Sequence, residues 1–205
     1  MPMSYDALLT LCVLVAASTW TPGPNHALLA SSGANFGLHR TVPHALGVAL
    51  GFPVMVLIVG LFLGSAFQHS ALLRMILHYG GAALLLYVAW KIAFYGGLVR
   101  ADGNRRPFRF HEAAAFQWIN PKGWVMAISL TSQFVSATQP VTSAVVVALV
   151  FLLVGLTSAF AWAAGGTAMR RFLAVGHRLG IFNGVMGRVL ALGMIVLLRH
   201  YTRSH

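Results

Sequence analysis

Positions 7 to 39 of this chain hold no Asp, Glu, Lys or Arg, yet the run is interrupted by "TPGPN" at residues 21–25. A run that apolar belongs in lipid, and lipid offers no partner to a freed backbone N–H or C=O. A single proline commonly only kinks a membrane helix, the reading that suits Pro43 and Pro53. Two prolines around a glycine, followed by an amide, instead predict a broken helix whose bared backbone forms a binding site.

The feature recurs. In "AAAFQWINPKGWVMAISL", residues 113–130, the residues Asn120, Pro121, Lys122 and Gly123 fall inside a second apolar region. A helix needs about 20 apolar residues to cross a bilayer. Six regions qualify: one from about 7 through the break, then about 42–67, 75–94, 113–135, 141–164 and 181–198. The expected fold class is an all-α integral membrane protein with six transmembrane helices as two inverted three-helix repeats. Helices 1 and 4 are expected to break at PGPN and NPKG. Residues 1–205 form one membrane domain: a first repeat at 1–97, a basic cytoplasmic loop at 98–112 and a second repeat at 113–205. Three spans per repeat give the halves opposite orientations, the arrangement in which discontinuous helices meet near the midplane.

Composition agrees. The chain is 58% hydrophobic and 8% charged, with a mean hydropathy of +0.77, whereas soluble domains carry about 25% charged residues. The net charge of +11 is dispersed between apolar runs. It therefore reads as topology signal and contact with anionic lipid, and no soluble basic face remains for nucleic acid. Arg40, then Arg100, Arg105, Arg106 and Arg109, then Arg170, Arg171 and Arg178 lie in the odd-numbered connections, against Arg74, Arg199 and Arg203 opposite. The positive-inside rule places the odd connections in the cytoplasm and both termini outside. The N-terminus has no basic n-region and carries Asp6, so it reads as an uncleaved first span. Cys12 is alone, which excludes an intrachain disulfide or a dithiol redox cycle. Small pairs at i, i+4 (Gly33/Gly37, Gly47/Gly51, Gly60/Gly64 and Gly176/Gly180/Gly184) predict close helix contacts and permit a homodimer.

At these residues the chain resembles a known family. "TPGPN" followed by "GANFGLHRTVPHALGVALG" is similar to the N-terminal signature of the LysE/RhtB amino-acid exporters. "LLLYVAWKI" resembles the family's third-span ending, and "FQWINPKGWVMAISLTSQFV" its fourth-span signature. The resemblance covers nearly the whole chain in order and spacing. It implies six spans in the bacterial inner membrane and export of amino acids or close derivatives, driven by the proton gradient.

The expected substrate site joins Thr21, Pro22, Gly23, Pro24 and Asn25 to Gln117, Asn120, Pro121 and Lys122. A half-helix starting at Pro24 or Asn25 would offer N–H groups to a carboxylate, and carbonyls at 19–21 would accept from an ammonium. Lys122 is an ionisable group inside a span and hence a functional candidate. Lys91, at the end of span three, reads as snorkelling. Proton-coupling candidates are Glu112 and His26, with His44 and His78 as packing residues. Trp20, Trp118 and Trp124 flank the breaks and could shape a pocket or merely pack. No cofactor or metal is called for. The partners are an amino-acid substrate and the lipid bilayer, and the lack of buried carboxylates favours a neutral substrate. The rival readings are a divalent-metal or other small-solute exporter on the same scaffold, which would want clustered ligands, and an intramembrane enzyme, which would want a nucleophile–base pair.

Overall fold

A computed structural model describes residues 3–63 and 105–203, residues 98 and 99, and the helical positions 72, 75, 79, 83, 86, 87, 90 and 94. Lys91, His78, Gly64, Arg74, Arg100 and most of the expected third span lie outside the described residues.

Helix α1 (Tyr5–Trp20) opens on Ser4, whose side chain accepts from the Ala7 N–H. It stops where Pro22 can no longer donate, and α2 (Pro24–Phe36) leaves at a bend of 55°. Proline at the first helical position loses no bond, because that N–H is an orphan in any helix. α2 ends at Gly37, whose φ of +81° is a conformation that only glycine adopts without strain. α3 (Leu38–Ile58) follows directly and closes in a π turn, Val59–Leu63. It starts before the expected position 42 and takes Arg40 into its first turn, because Gly37 ends one helix and opens the next. Pro43 and Pro53 sit inside α3 without ending it.

A two-rung hairpin, β1 (Leu98–Val99) against β2 (Arg105–Arg106), occupies the basic connection expected to be plain loop. It delivers the chain to α4 (Phe110–Phe116). A 3-10 turn, Gln117–Ile119, and the extended Asn120 precede α5 (Pro121–Phe134). Next come α6 (Pro140–Ala168), the short α7 (Arg170–Leu173) and α8 (Arg178–Arg203). α3 and α6 are each long and apolar enough to cross a membrane, and the bent α1–α2 pair passes the same test when taken together, the mark of a broken span or a re-entrant loop.

α6 is the spine against which α1, α2, α3 and α5 pack. Two apolar cores form along it. One joins Leu11 and Val15 of α1, Met55 and Val56 of α3, Trp124 and Leu130 of α5 and Phe151 of α6. The other joins Leu29 of α2, Ala45 and Ala49 of α3 and Ala159 and Ala163 of α6. Small residues allow the second to be thin. A Cβ on Gly33 would fall 2.1 Å from the Ala163 carbonyl oxygen, and one on Gly166 would fall 2.1 Å from that of Ala30. Gly47 and Gly51 of α3 are pressed in the same way onto Phe110 and Ala114 of α4. At Gly176, Gly180 and Gly184 a Cβ would meet nothing within 4 Å among the described residues. α8 is held to α2 by Asn183, which receives Ser31 Oγ and Asn35 Nδ2 at 3.2 and 2.9 Å and returns a bond to Asn35.

Two outcomes follow from this packing. Gly33→Val and Gly166→Val each force a branched side chain into opposing backbone, so each lowers stability by about 3 kcal/mol or more. Gly165→Val, on the exposed side of α6, leaves the melting temperature in detergent nearly unchanged. Equal melting of all three variants contradicts the helix contact. The second concerns Glu112 at the mouth of α4, which pairs with Arg106 and accepts from the Arg109 N–H at 2.8 Å. The Arg106 guanidinium holds the Glu112 carboxyl below the usual carboxylate range. A carboxyl depressed by folding stabilises above its ordinary value of 4.5, and that stability is lost as pH falls through the depressed one. The melting gap between wild type and Glu112→Gln is therefore present at neutral pH and closes in acid. A gap independent of pH contradicts the ion pair.

Candidate functional site

The two breaks are built alike. Each has an extended residue, Gly23 or Asn120, then proline at the first position of a new helix. The second residues, Asn25 and Lys122, carry N–H groups that no helical carbonyl can reach. Lipid could not satisfy such groups, and the fold brings the breaks together. Asn25 Nδ2 donates to Gln117 Oε1 at 2.8 Å, and Gln117 Nε2 donates to Asn25 Oδ1 at 3.4 Å. Gln117 Nε2 also reaches the Ala113 carbonyl at 2.8 Å, so this fully buried amide clamps both breaks. Lys122 does not reach outward. Its Nζ crosses to the Thr21 carbonyl at 2.6 Å, and its stem covers Gly23, where a Cβ would lie 2.9 Å from Cδ.

Between the breaks lies a cavity of about 60 Å³. α1 contributes Ser18 and Thr19, and the first break contributes Gly23, Pro24, Asn25 and His26. Asn120, Lys122 and Gly123 come from the second break, Ala49, Phe52 and Pro53 from α3, and Phe151, Gly155, Ser158 and Ala159 from α6. The cavity touches both cores, through Phe151 and through Leu29, Ala49 and Ala159. Pro53 has no N–H, so the Ala49 carbonyl one turn earlier lacks its helical donor.

The polar atoms of this cavity are underused. Among the described residues, buried side-chain atoms without a hydrogen-bond partner are Thr19 Oγ1, His26 Nδ1, Asn120 Oδ1 and Trp162 Nε1. The first three belong to cavity residues, and the Trp162 ring lies 5.0 Å from that of His26. A buried polar atom left unpaired costs about 1–3 kcal/mol, and three of these four sit together on the residues of one cavity. Ser158 Oγ donates to the Thr19 carbonyl at 3.3 Å, and the same hydroxyl stands 3.2 Å from His26 Nε2. When Nε2 carries the proton, His26 Nδ1 is an acceptor. His26 as a whole is 8% exposed.

Gly23, Pro24, Asn25, Asn120 and Lys122 of the expected site line the cavity; Thr21, Gln117, Pro22 and Pro121 do not, although the first two supply the clamp. Of the carbonyls expected to meet an ammonium, that of Thr21 accepts from Lys122 and that of Thr19 from Ser158. Glu112 is outside the cavity, in its ion pair. His44 is buried elsewhere, its Nδ1 3.0 Å from Ser32 Oγ. Trp124 is buried and its indole donates to the Trp118 carbonyl at 2.8 Å, while Trp20 is exposed; none of the three tryptophans lines the cavity. Among the described residues no three His, Cys, Asp or Glu side chains are grouped to hold a metal. Ser158, Gly155 and Phe151 were not anticipated, and of Thr19 only the carbonyl was. The signal that could have exposed the α6 residues is their shared helical face, spaced i, i+4, i+7.

Comparison with known proteins bears on the whole chain. Residues 16–200 match the LysE type translocator family. The chain is similar to the cysteine/O-acetylserine efflux protein of Escherichia coli O157:H7, with 32% identity over 184 residues, 88% of this chain and 91% of that protein. It is likewise 32% identical over 192 residues to the protein of that name from Salmonella typhimurium (strain LT2), covering 90% and 94% of the two chains. No solved structure matches it. With a family match over most of its length, the chain belongs to the LysE type translocators, which makes it a transporter of the membrane and not an enzyme.

Proposed function

We propose that this protein exports small neutral amino acids and close derivatives, of the cysteine and O-acetylserine class, from the bacterial cytoplasm in exchange for protons. The observation that carries the reading is the gathering of unpartnered polar atoms on one cavity between two broken helices. The names of its relatives supply the substrate class. Six spans in two inverted repeats, 1–97 and 113–205, with the 98–112 loop and the odd connections in the cytoplasm, complete the proposal. The matching construction of the two breaks supports the repeat, and the arginine distribution supports the orientation.

The chemistry of a zwitterion fits the lining. Its carboxylate pairs with the Lys122 ammonium and the Asn25 N–H at the positive end of α2. Its ammonium takes acceptors that lack donors: Asn120 Oδ1, His26 Nδ1 and the Ala49 carbonyl. Lys122 leaves the Thr21 carbonyl when it turns to the carboxylate, and that oxygen is freed for the incoming ammonium. The bond lost inside the empty protein is thus replaced by one to the substrate. No Asp or Glu lines the cavity, so a second positive charge on the substrate would go uncompensated.

Coupling rests on His26. One lone pair at Nδ1 can hold the substrate ammonium or a proton, not both. Mutually exclusive occupancy is what antiport requires: the proton enters after the substrate has left, and departs before the next one binds.

The test is transport in proteoliposomes loaded with O-acetylserine, read as exchange and as net efflux against an imposed pH gradient. Lys122→Met, inserted at normal levels, lowers both by about a hundredfold, the scale of a lost charge-assisted bond. His26→Gln keeps exchange and loses acceleration by the gradient. Full transport by Lys122→Met overturns the site, and gradient-driven efflux by His26→Gln overturns the coupling.

A further inference from the structure

Phe151, Gly155, Ser158 and Ala159 fall at i, i+4, i+7 and i+8 along α6, so they share one face, and all four line the cavity. The ends of this stripe differ in chemistry. At one end Ser158 bonds His26 and the Thr19 carbonyl. At the other Phe151 meets the Phe52 ring edge-on at 5.0 Å. The helical rise separates Ser158 from Phe151 by about 10 Å, with Gly155 between them.

Gly155 is unlike the other glycines of the core. Gly33 and Gly166 are demanded by opposing backbone, whereas at Gly23 a Cβ would press on the flexible Lys122 stem. At Gly155 a Cβ would meet nothing within 4 Å among the described residues. Glycine is the poorest helix former after proline, and packing gives no reason for it here. Its missing side chain is space that belongs to the cavity, placed where the polar end gives way to the aromatic one.

We infer that Gly155 sets the size limit on the substrate's side chain, a role that rests on the cavity being the amino-acid site. With the α-ammonium and carboxylate held by His26, Asn120 and Lys122, the side chain runs past Gly155 toward Phe52 and Phe151. The class admitted is an elongated, uncharged side chain, and a methyl group on residue 155 begins to close the passage.

The experiment is exchange in proteoliposomes with alanine, cysteine, O-acetylserine and methionine as competing substrates. It compares wild type, Gly155→Ala, Gly155→Val and Gly165→Val, the last making the same change on the exposed side of α6. In Gly155→Val the rate for O-acetylserine and methionine relative to alanine falls by about tenfold or more, the discrimination a methyl or two confers in an apolar pocket. Gly155→Ala shows a smaller shift in the same direction, and Gly165→Val keeps the wild-type ratios. Unchanged ratios in Gly155→Val overturn the inference while leaving the transport reading intact, and so does an equal loss for all substrates in folded Gly155→Ala. Wild-type vesicles that exchange no amino acid overturn both.

Discussion

A backbone broken inside lipid must find its hydrogen bonds within the protein, and everything distinctive in this molecule follows from how two breaks satisfy one another. The Asn25–Gln117 amide pair and the Lys122 bond to the Thr21 carbonyl each join residues about a hundred positions apart. Neither break could be stable facing hydrocarbon alone, because each unsatisfied group there costs several kcal/mol. Pairing removes part of that cost and fixes the distance between the breaks. What pairing leaves unsatisfied lines the cavity.

The rest of the fold serves to hold that juncture still. Two apolar cores meet along α6 with the cavity touching both, and glycine-mediated contacts bring α2 against α6 and α3 against α4. Close backbone packing substitutes in a membrane for the hydrophobic drive that lipid cannot supply. The polar links inside the protein are placed with economy. Asn183 ties α8 to the far end of α2, and the Glu112–Arg106 pair secures the entry to α4. Thr19 Oγ1, His26 Nδ1 and Asn120 Oδ1, which these links leave without partners, all belong to residues of the cavity.

Much of this was legible in the residues, and the illegible parts have a common cause. PGPN and NPKG announced both breaks, and Asn25, Gln117, Asn120 and Lys122 were visible as polar groups in apolar runs. α6 was opaque because a helix apolar all round has no contrasting face, so Ser158 and Gly155 looked like filler. Thr19 was read for its carbonyl, whereas its hydroxyl is the group left open. The spacing of Gly176, Gly180 and Gly184 announces only that a helix can be approached closely, and among the described residues nothing approaches it there. Helix limits moved where Gly37 could serve as stop and start at once.

The chain has two lysines, Lys91 and Lys122, and this makes the central proposition directly measurable in the unaltered protein. A small amine-reactive reagent, in excess over O-acetylserine, modifies both, and mass spectrometry reads the ratio of Lys122 to Lys91 labelling. Substrate that binds between the breaks lowers this ratio in proportion to occupancy. A ratio indifferent to saturating substrate, in protein that transports it, would contradict the account.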